Sequence, residues 1–185
     1  SNLILQATAK TLAQNVSVAD TLFMRTTATL VPSLSLSTFT LTYGSNGTLQ
    51  YRGAGTPAPA QTTADIEWPA TGNRPVHVSI FNASMVTLNG TKNISGTLSF
   101  ASDGSKLILG ANSISTGDVT GFNANRYVVT DGAGALTIRN ISTTAKTFPV
   151  GTSVTAYQPF TISNAGTTDN FSVRVAAAAP TCATV

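Results

Sequence analysis

Charge is what this chain has least of. Only 9% of its 185 residues are Asp, Glu, Lys or Arg, against about a quarter in an average globular domain. Disordered chains join high charge to low hydrophobicity. Here 42% of the residues are hydrophobic, so the chain is expected to fold. Glu and Lys, which favour helices, are scarce, and Thr, Ser, Asn, Gly and Ala take their places. The single cysteine, Cys182, excludes an internal disulfide and a cysteine metal cluster. It reads as a free thiol in a tail, with a bridge to a partner chain as the alternative. The single histidine, His77, excludes a histidine cluster for zinc or iron. No run approaches the ~18 apolar residues of a membrane helix. Ser1 to Leu5 lacks the basic flank and apolar core of a signal peptide, which suggests a mature form or an excised piece. The net charge is +3, but its basic residues are scattered singly from Lys10 to Arg174. Nucleic-acid binders concentrate such charge on one face, so no nucleic-acid partner is expected.

What the chain does have is strand and turn chemistry. Tyr127 to Ile138 reads as strand, turn, strand, with Asp131-Gly132 supplying the turn. Val128-Val129 and Leu136-Thr137-Ile138 supply β-branched and apolar strand residues. From Leu34 to Tyr43 apolar residues alternate with Ser and Thr, the period of a half-buried strand. Gly53 to Ala60 is expected as a loop. A short helix over 7–14 has weak support in composition. Thr40 to Gly47 matches Thr97 to Gly104 in residue class, position by position, 57 residues apart. That spacing is near three coils of about nineteen residues, the scale of a stacked solenoid.

The fold expected is therefore all-β. A β-solenoid-like part with an irregular N-terminal segment should occupy 1–120. A short-strand antiparallel sheet or sandwich should follow over 121–175, with 176–185 as linker or tail. Leu41, Tyr43, Val78, Ile80, Leu88, Leu98, Phe100, Leu107, Leu109, Val129, Leu136, Ile138, Phe160, Ile162, Val173 and Val175 are expected inside.

Several runs carry a family resemblance. Leu107 to Asn112, Tyr127 to Thr137, Phe148 to Thr152 and Thr161 to Val175 resemble a module of large secreted proteins of Bacteroidetes-type bacteria. Ile66 to Ala70 and Val86 to Gly90 are similar to their β-solenoid stalks. The likeness covers roughly 40–175. It implies a secreted or surface-displayed protein, adhesin-like or structural, of the kind exported by the type IX route. It supplies no catalytic residues. Such proteins usually continue beyond the Phe171 to Val175 strand, whereas this sequence stops ten residues later.

Catalytic chemistry has few candidates. His77 lies between Val76 and Val78 and points away from their face, so a Ser-His-Asp triad is not expected. Asp65 and Glu67 are two apart and would share one strand face beside Trp68. Two carboxylates on one strand rarely straddle a sugar bond. Asp103, Asp118, Asp131 and Asp169 adjoin turn residues. Calcium at Asp103 or Asp131 is the only metal idea the sequence offers, and no cofactor is expected. Asn-x-Ser/Thr sequons are common, as at Asn89 and Asn140, and Asp20-Thr21-Leu22 resembles a short bacterial O-glycosylation signal.

The expected function is thus a non-catalytic structural or adhesive module outside the cell. Two alternatives stand beside it. A carbohydrate-binding module would stack sugars on Trp68, Tyr51 and Tyr43. A self-assembling filament subunit would stack head-to-tail or exchange a strand. Leu22, Phe23, Met24, Leu30 and Val31 are the candidate exchange strand. No end cap is evident, and Lys, the usual edge guard, occurs only at 10, 92, 106 and 146. The expected partners are neighbouring modules or identical subunits, with surface glycans as a further class and no membrane insertion.

Overall fold

Alternating apolar and hydroxyl residues can bury one face only if something covers it, and in this chain the strands of three faces cover one another around a shared core while each next coil takes the strand edge. The structure is a computed structural model that describes residues 2–6, 9–11, 14–25, 33–35, 40–53, 60–81, 83 and 85–177. It is an all-β solenoid of about six turns. The first coil holds β1 (Leu3–Gln6), β2 (Ala9–Thr11) and β3 (Val16–Val18). The second holds β4 (Thr21–Arg25), β5 (Ser33–Ser35) and β6 (Leu41–Tyr43). In the third, β7 (Thr48–Arg52) and β8 (Gln61–Thr62) are followed by a turn instead of a strand. Next come β9 (His77–Phe81), β10 (Met85–Thr87) and β11 (Lys92–Asn93), then β12 (Thr97–Phe100), β13 (Lys106–Ile108) and β14 (Ile114–Thr116). The sixth coil holds β15 (Asp118–Thr120), β16 (Tyr127–Val129) and β17 (Leu136–Ile141).

First strands stack on first strands in parallel register, giving a six-stranded sheet β1-β4-β7-β9-β12-β15. Leu22, Leu49, Val78, Leu98 and Val119 fall in one ladder row and are all buried. Phe23, Gln50 and Ser79 form a row of opposite parity, as strand pleating requires. The second column repeats this with Val86, Leu107, Val128 and Val150 inside. Ladder partners lie 20 to 22 residues apart from Val78 onward, as Val78 to Leu98 and Ile114 to Leu136 show. The second and third coils are longer, 27 residues from Leu22 to Leu49 and 29 from Leu49 to Val78, whereas Leu3 and Leu22 are 19 apart. Corners pack closely: Gly121 has φ +68°, and a Cβ there would collide with the Phe100 carbonyl.

Three expectations change. The 57-residue match does not span whole coils. Leu98 traces back through Val78 to Leu49 in the first column, whereas Leu41 pairs with Val16 as a third strand. The same strand-and-turn wording recurs at different corners. The antiparallel part does not begin at 121 either, because β16 and β17 continue the parallel ladders of β13 and β14. Asp131-Gly132 turns a corner between two faces and does not close a hairpin. And residues 9–11, inside the span weakly read as helix, are strand.

The reversal comes later and forms the missing cap. β18 (Lys146–Phe148) and β19 (Val150–Ser153) begin another coil, then the chain turns back. β20 (Ala156–Tyr157), β21 (Phe160–Ile162) and β22 (Asp169–Val173) pair antiparallel with β19, β18 and β17 respectively. The final coil therefore runs in the opposite sense. Its strands are short, and its register shifts at Gly151/Ser153 and Ile138/Ile141, features that blunt an edge. Phe160 of this coil is 54% exposed. Tyr43, Ile162, Val173 and Val175 are half-buried, and the rest of the expected core is buried.

β4 is no donor strand. It lies between β1 and β7 with both edges paired, and Leu22 and Met24 point into the core. Leu30 and Val31 lie outside the described residues, as does Cys182.

The ladder sets a stability contrast. Leu98→Ala leaves a hole between two coils and should cost about 2–5 kcal/mol. Thr120→Ala, on the exposed end of the last first-column strand, should stay within about 0.5 kcal/mol. Urea denaturation of both variants checks the pair; comparable losses would contradict the assignment of inward and outward rows.

Candidate functional site

The third column breaks at the third coil, and the break brings together buried Thr63, Glu67 and Lys92. Between β6 and β11 no strand fills the column; residues 64–68 make a single turn there, with the Trp68 N–H donating to the Ala64 carbonyl at 3.0 Å. Glu67 reaches back to the start of the turn, where the Ala64 N–H donates to its Oε1 at 2.6 Å. This is the reach-back of a capping box, which satisfies an otherwise unpaired N–H. It also turns the Glu67 side chain inward. The Tyr51 hydroxyl donates to the same Oε1 at 3.1 Å, and the Tyr43 hydroxyl donates to the Glu67 carbonyl at 2.6 Å. Trp68 packs against Tyr51 with ring centroids 6.5 Å apart.

Lys92 closes the break from the following coil. It stands on the inward row with Ile114 and Leu136, and its side chain is 0% exposed. Its Nζ donates to Asp65 Oδ1 and to the Trp68 carbonyl, each at 2.6 Å. Asn89 Nδ2 donates to the same carboxylate oxygen at 3.1 Å. Asn89 is fixed in turn by Thr63, whose hydroxyl donates to Asn89 Oδ1 at 2.6 Å. Asp65 itself is 70% exposed.

Asp65 and Glu67 therefore face opposite ways. A turn, not a strand, carries them, so the shared face expected from their spacing does not exist. Hydrogen bonds from Lys92 and Asn89 hold the Asp65 carboxyl below its ordinary 3.8. Burial pushes Glu67 above its ordinary 4.5, against hydrogen bonds from Ala64 and Tyr51 and the Lys92 charge. Burial, then the nearby Glu67 charge, raises Tyr43 and Tyr51 well above 10.0. Trp68 is 0% and Tyr51 1% exposed. Neither ring can offer a face to a sugar, and Tyr43 is half-buried with its hydroxyl engaged. These three residues support the break from inside.

The other candidates sit apart. His77 Nδ1 accepts the Thr97 N–H at 3.0 Å and joins two coils. Asp103 takes hydrogen bonds from Asn123 and Asn125 and lies 3.5 Å from Arg126 Nε. Among the described residues no three His, Cys, Asp or Glu side chains gather to hold a metal.

Three residues of structural weight escaped the sequence reading. Lys92 has one signal, its shared parity with Ile94. Arg139 lies across the third face, donating to Asn93 Oδ1 at 2.9 Å, Ser115 Oγ at 2.7 Å and the Ile94 carbonyl at 2.6 Å. Lys106 is 4% exposed, and its Nζ lies 4.5 Å from the Tyr127 ring centre. Tyr157 of the final coil covers that ring at 5.0 Å.

No protein-family model, curated protein or solved structure matches the chain. The geometry of the break is thus the ground for a functional reading.

The pair across the break is asymmetric in a way that can be measured. Orphaned Asp65 is left to water, whereas orphaned Lys92 stays buried with only a carbonyl. Asp65→Ala should therefore destabilise more than Lys92→Met, by roughly 1–2 kcal/mol, below the ~3–5 of a fully buried pair because water screens exposed Asp65. Equal or reversed losses in thermal unfolding would contradict the clip.

Glu67 gives a pH signature. Its folded pKa is raised, so the fold favours its protonated form. Its penalty is absent below its ordinary 4.5, grows as pH rises toward the folded value, and is constant above it. Wild-type denaturation midpoints should fall over that window, and Glu67→Gln should flatten the fall. An identical profile in the variant would remove Glu67 as the cause.

Proposed function

We propose that the chain is a non-catalytic structural and adhesive module displayed outside the cell. The observation that carries this reading is the regularity of the outer surface. The later coils repeat small hydroxyl and amide side chains at equivalent ladder positions. Ser99 is followed by Thr120 on the first face. Asn93 is followed by Ser115, Thr137 and Ser172 on the third. Thr137 and Ser172 hydroxyls lie 2.7 Å apart, continuing the row into the cap. Six coils at about 4.8 Å each make a rod roughly 30 Å long, well suited to spacing or presenting a surface. The low charge and the resemblance to secreted bacterial stalks support the location and the type IX export route.

Assembly of identical subunits is the second reading, and one observation favours it. The outer edge of β1 pairs with no strand among the described residues, and Ile4 beside it is 56% exposed. The reversed coil blunts the other end. Contact through two N-terminal edges is isologous and closes as a dimer, whereas a filament needs unlike ends to meet.

Two measurements test this. The purified chain should release no reducing sugar from a polysaccharide panel. Release abolished by Asp65→Ala would overturn the non-catalytic reading. Sedimentation at rising concentration should show a monomer; a dimer lost on Ile4→Lys would favour the second reading, and growing filaments would call for contacts at both ends.

A further inference from the structure

The break in the third column also shapes the outer surface. The turn at 64–68 leaves a groove of about 180 Å³ beside Leu41. Asp65, Ile66, Pro69, Thr71, Asn73 and Thr40 line it. We propose that this groove binds one ring of a neutral glycan. The assignment deepens the adhesive half of the proposed function, rests on it, and places recognition on residues other than the buried aromatic rings.

Three features point to that ligand. The first is a preorganised acceptor. Asp65 Oδ1 is held from beneath by Lys92 and from the side by Asn89. Its Oδ2 accepts no hydrogen bond among the described residues, although the side chain is 70% exposed. Sugar hydroxyls donate well to such an oxygen, and a side chain already fixed loses little entropy on binding. The second is the mixture on the walls. Ile66 and Pro69 offer an apolar surface for the C–H face of a ring. Thr71 and Asn73 are exposed and can both donate and accept.

The third feature is charge. Among the described residues Asp65 is the only charged one lining the groove, and its charge is balanced by buried Lys92. Neither an anion nor a cation is favoured by the field. A lone carboxylate is also a poor cage for calcium, which takes 6–8 oxygen ligands. The volume lies below the ~300 Å³ at which drug-sized pockets begin, so one ring fits and the rest of a chain would lie in solvent. Weak binding, with Kd on the order of millimolar, is expected of so small a contact.

Nuclear magnetic resonance on the full isotopically labelled chain tests this. The probes are the methyl glycosides of glucose, galactose, mannose and N-acetylglucosamine, with methyl glucuronide and calcium chloride as charged controls. At least one neutral glycoside should shift the amide signals of Ile66, Thr71 and Asn73 saturably. Asn73→Ala and Thr71→Val, which leave the Lys92 clip intact, should each weaken binding about tenfold or more with an unchanged unfolding temperature. Asp65→Asn should abolish binding; because it also disturbs the clip, its folding is checked in the same spectra. No shift at these amides with any neutral glycoside overturns the proposal. So do shifts that survive the Asn73→Ala, Thr71→Val double variant, and so does a response to glucuronide or calcium alone. A folded, monomeric, non-hydrolytic chain in those samples would leave the structural reading standing while the site fails.

Discussion

The parallel ladder between successive coils is the constraint on which everything else depends. Each strand's N–H and C=O groups find partners only on the coil before and the coil after, so every coil must return to the same register. Leu49, Val78 and Leu98 keep one row although the chain between them differs by nine residues per coil. Extra residues are tolerated between strands, because loop length costs little once the ends are fixed. A shift of one residue within a strand is not tolerated, because it would turn Leu and Val outward together. Low charge belongs to the same constraint. Identical ladder positions sit within about 5 Å of one another, and like charges stacked at that spacing repel. Ser, Thr and Asn stack without that penalty.

A ladder that stops must be replaced by something equally satisfied. At the third coil the replacement is made of side chains. Glu67 takes the N–H of its own turn and the Tyr51 hydroxyl, Tyr43 takes the Glu67 carbonyl, and Lys92 takes the Trp68 carbonyl. The arrangement leaves one group unmet, since buried Trp68 Nε1 has no partner among the described residues. An unpaired buried donor costs about 1–3 kcal/mol, so the repair of the break is incomplete. The C-terminal end is solved by backbone instead: the chain reverses and pairs antiparallel with all three of its last strands.

The strands were legible because alternation is a local signal. Leu98-Ser99-Phe100 and Leu107-Ile108-Leu109 show their inward residues without any partner in view. Asp131-Gly132 marked a turn correctly for the same reason. Whether that turn joins two strands of one sheet or rounds a corner is a long-range question. Its answer lies in β13 and β19, roughly twenty residues away on each side. The aromatic residues misled for a related reason. Trp68 and Tyr51 are compatible with a binding platform or a core by type alone, and Glu67 beside them decides it only through the turn. Lys92 was hidden because a lysine on an apolar parity is normally an exception to be discarded. Its partner, Asp65, is 27 residues earlier in sequence.

Regularity and recognition pull against each other in such a fold. In the later coils, where the ladder is regular, outward positions such as Ser99 and Thr120 or Ser115 and Thr137 repeat small polar groups. A concave site needs backbone that leaves the ladder, and leaving it exposes groups that the core must then satisfy. The turn at 64–68 does both. Glu67 faces inward and repairs the core; two residues earlier, Asp65 faces outward and lines the groove. Lys92 couples them, because the same buried ammonium that closes the Trp68 carbonyl also orients the exposed carboxylate. The rigidity of the surface acceptor is thus a by-product of repairing the ladder, and a solenoid can acquire a site at any coil where a strand is exchanged for a well-capped turn.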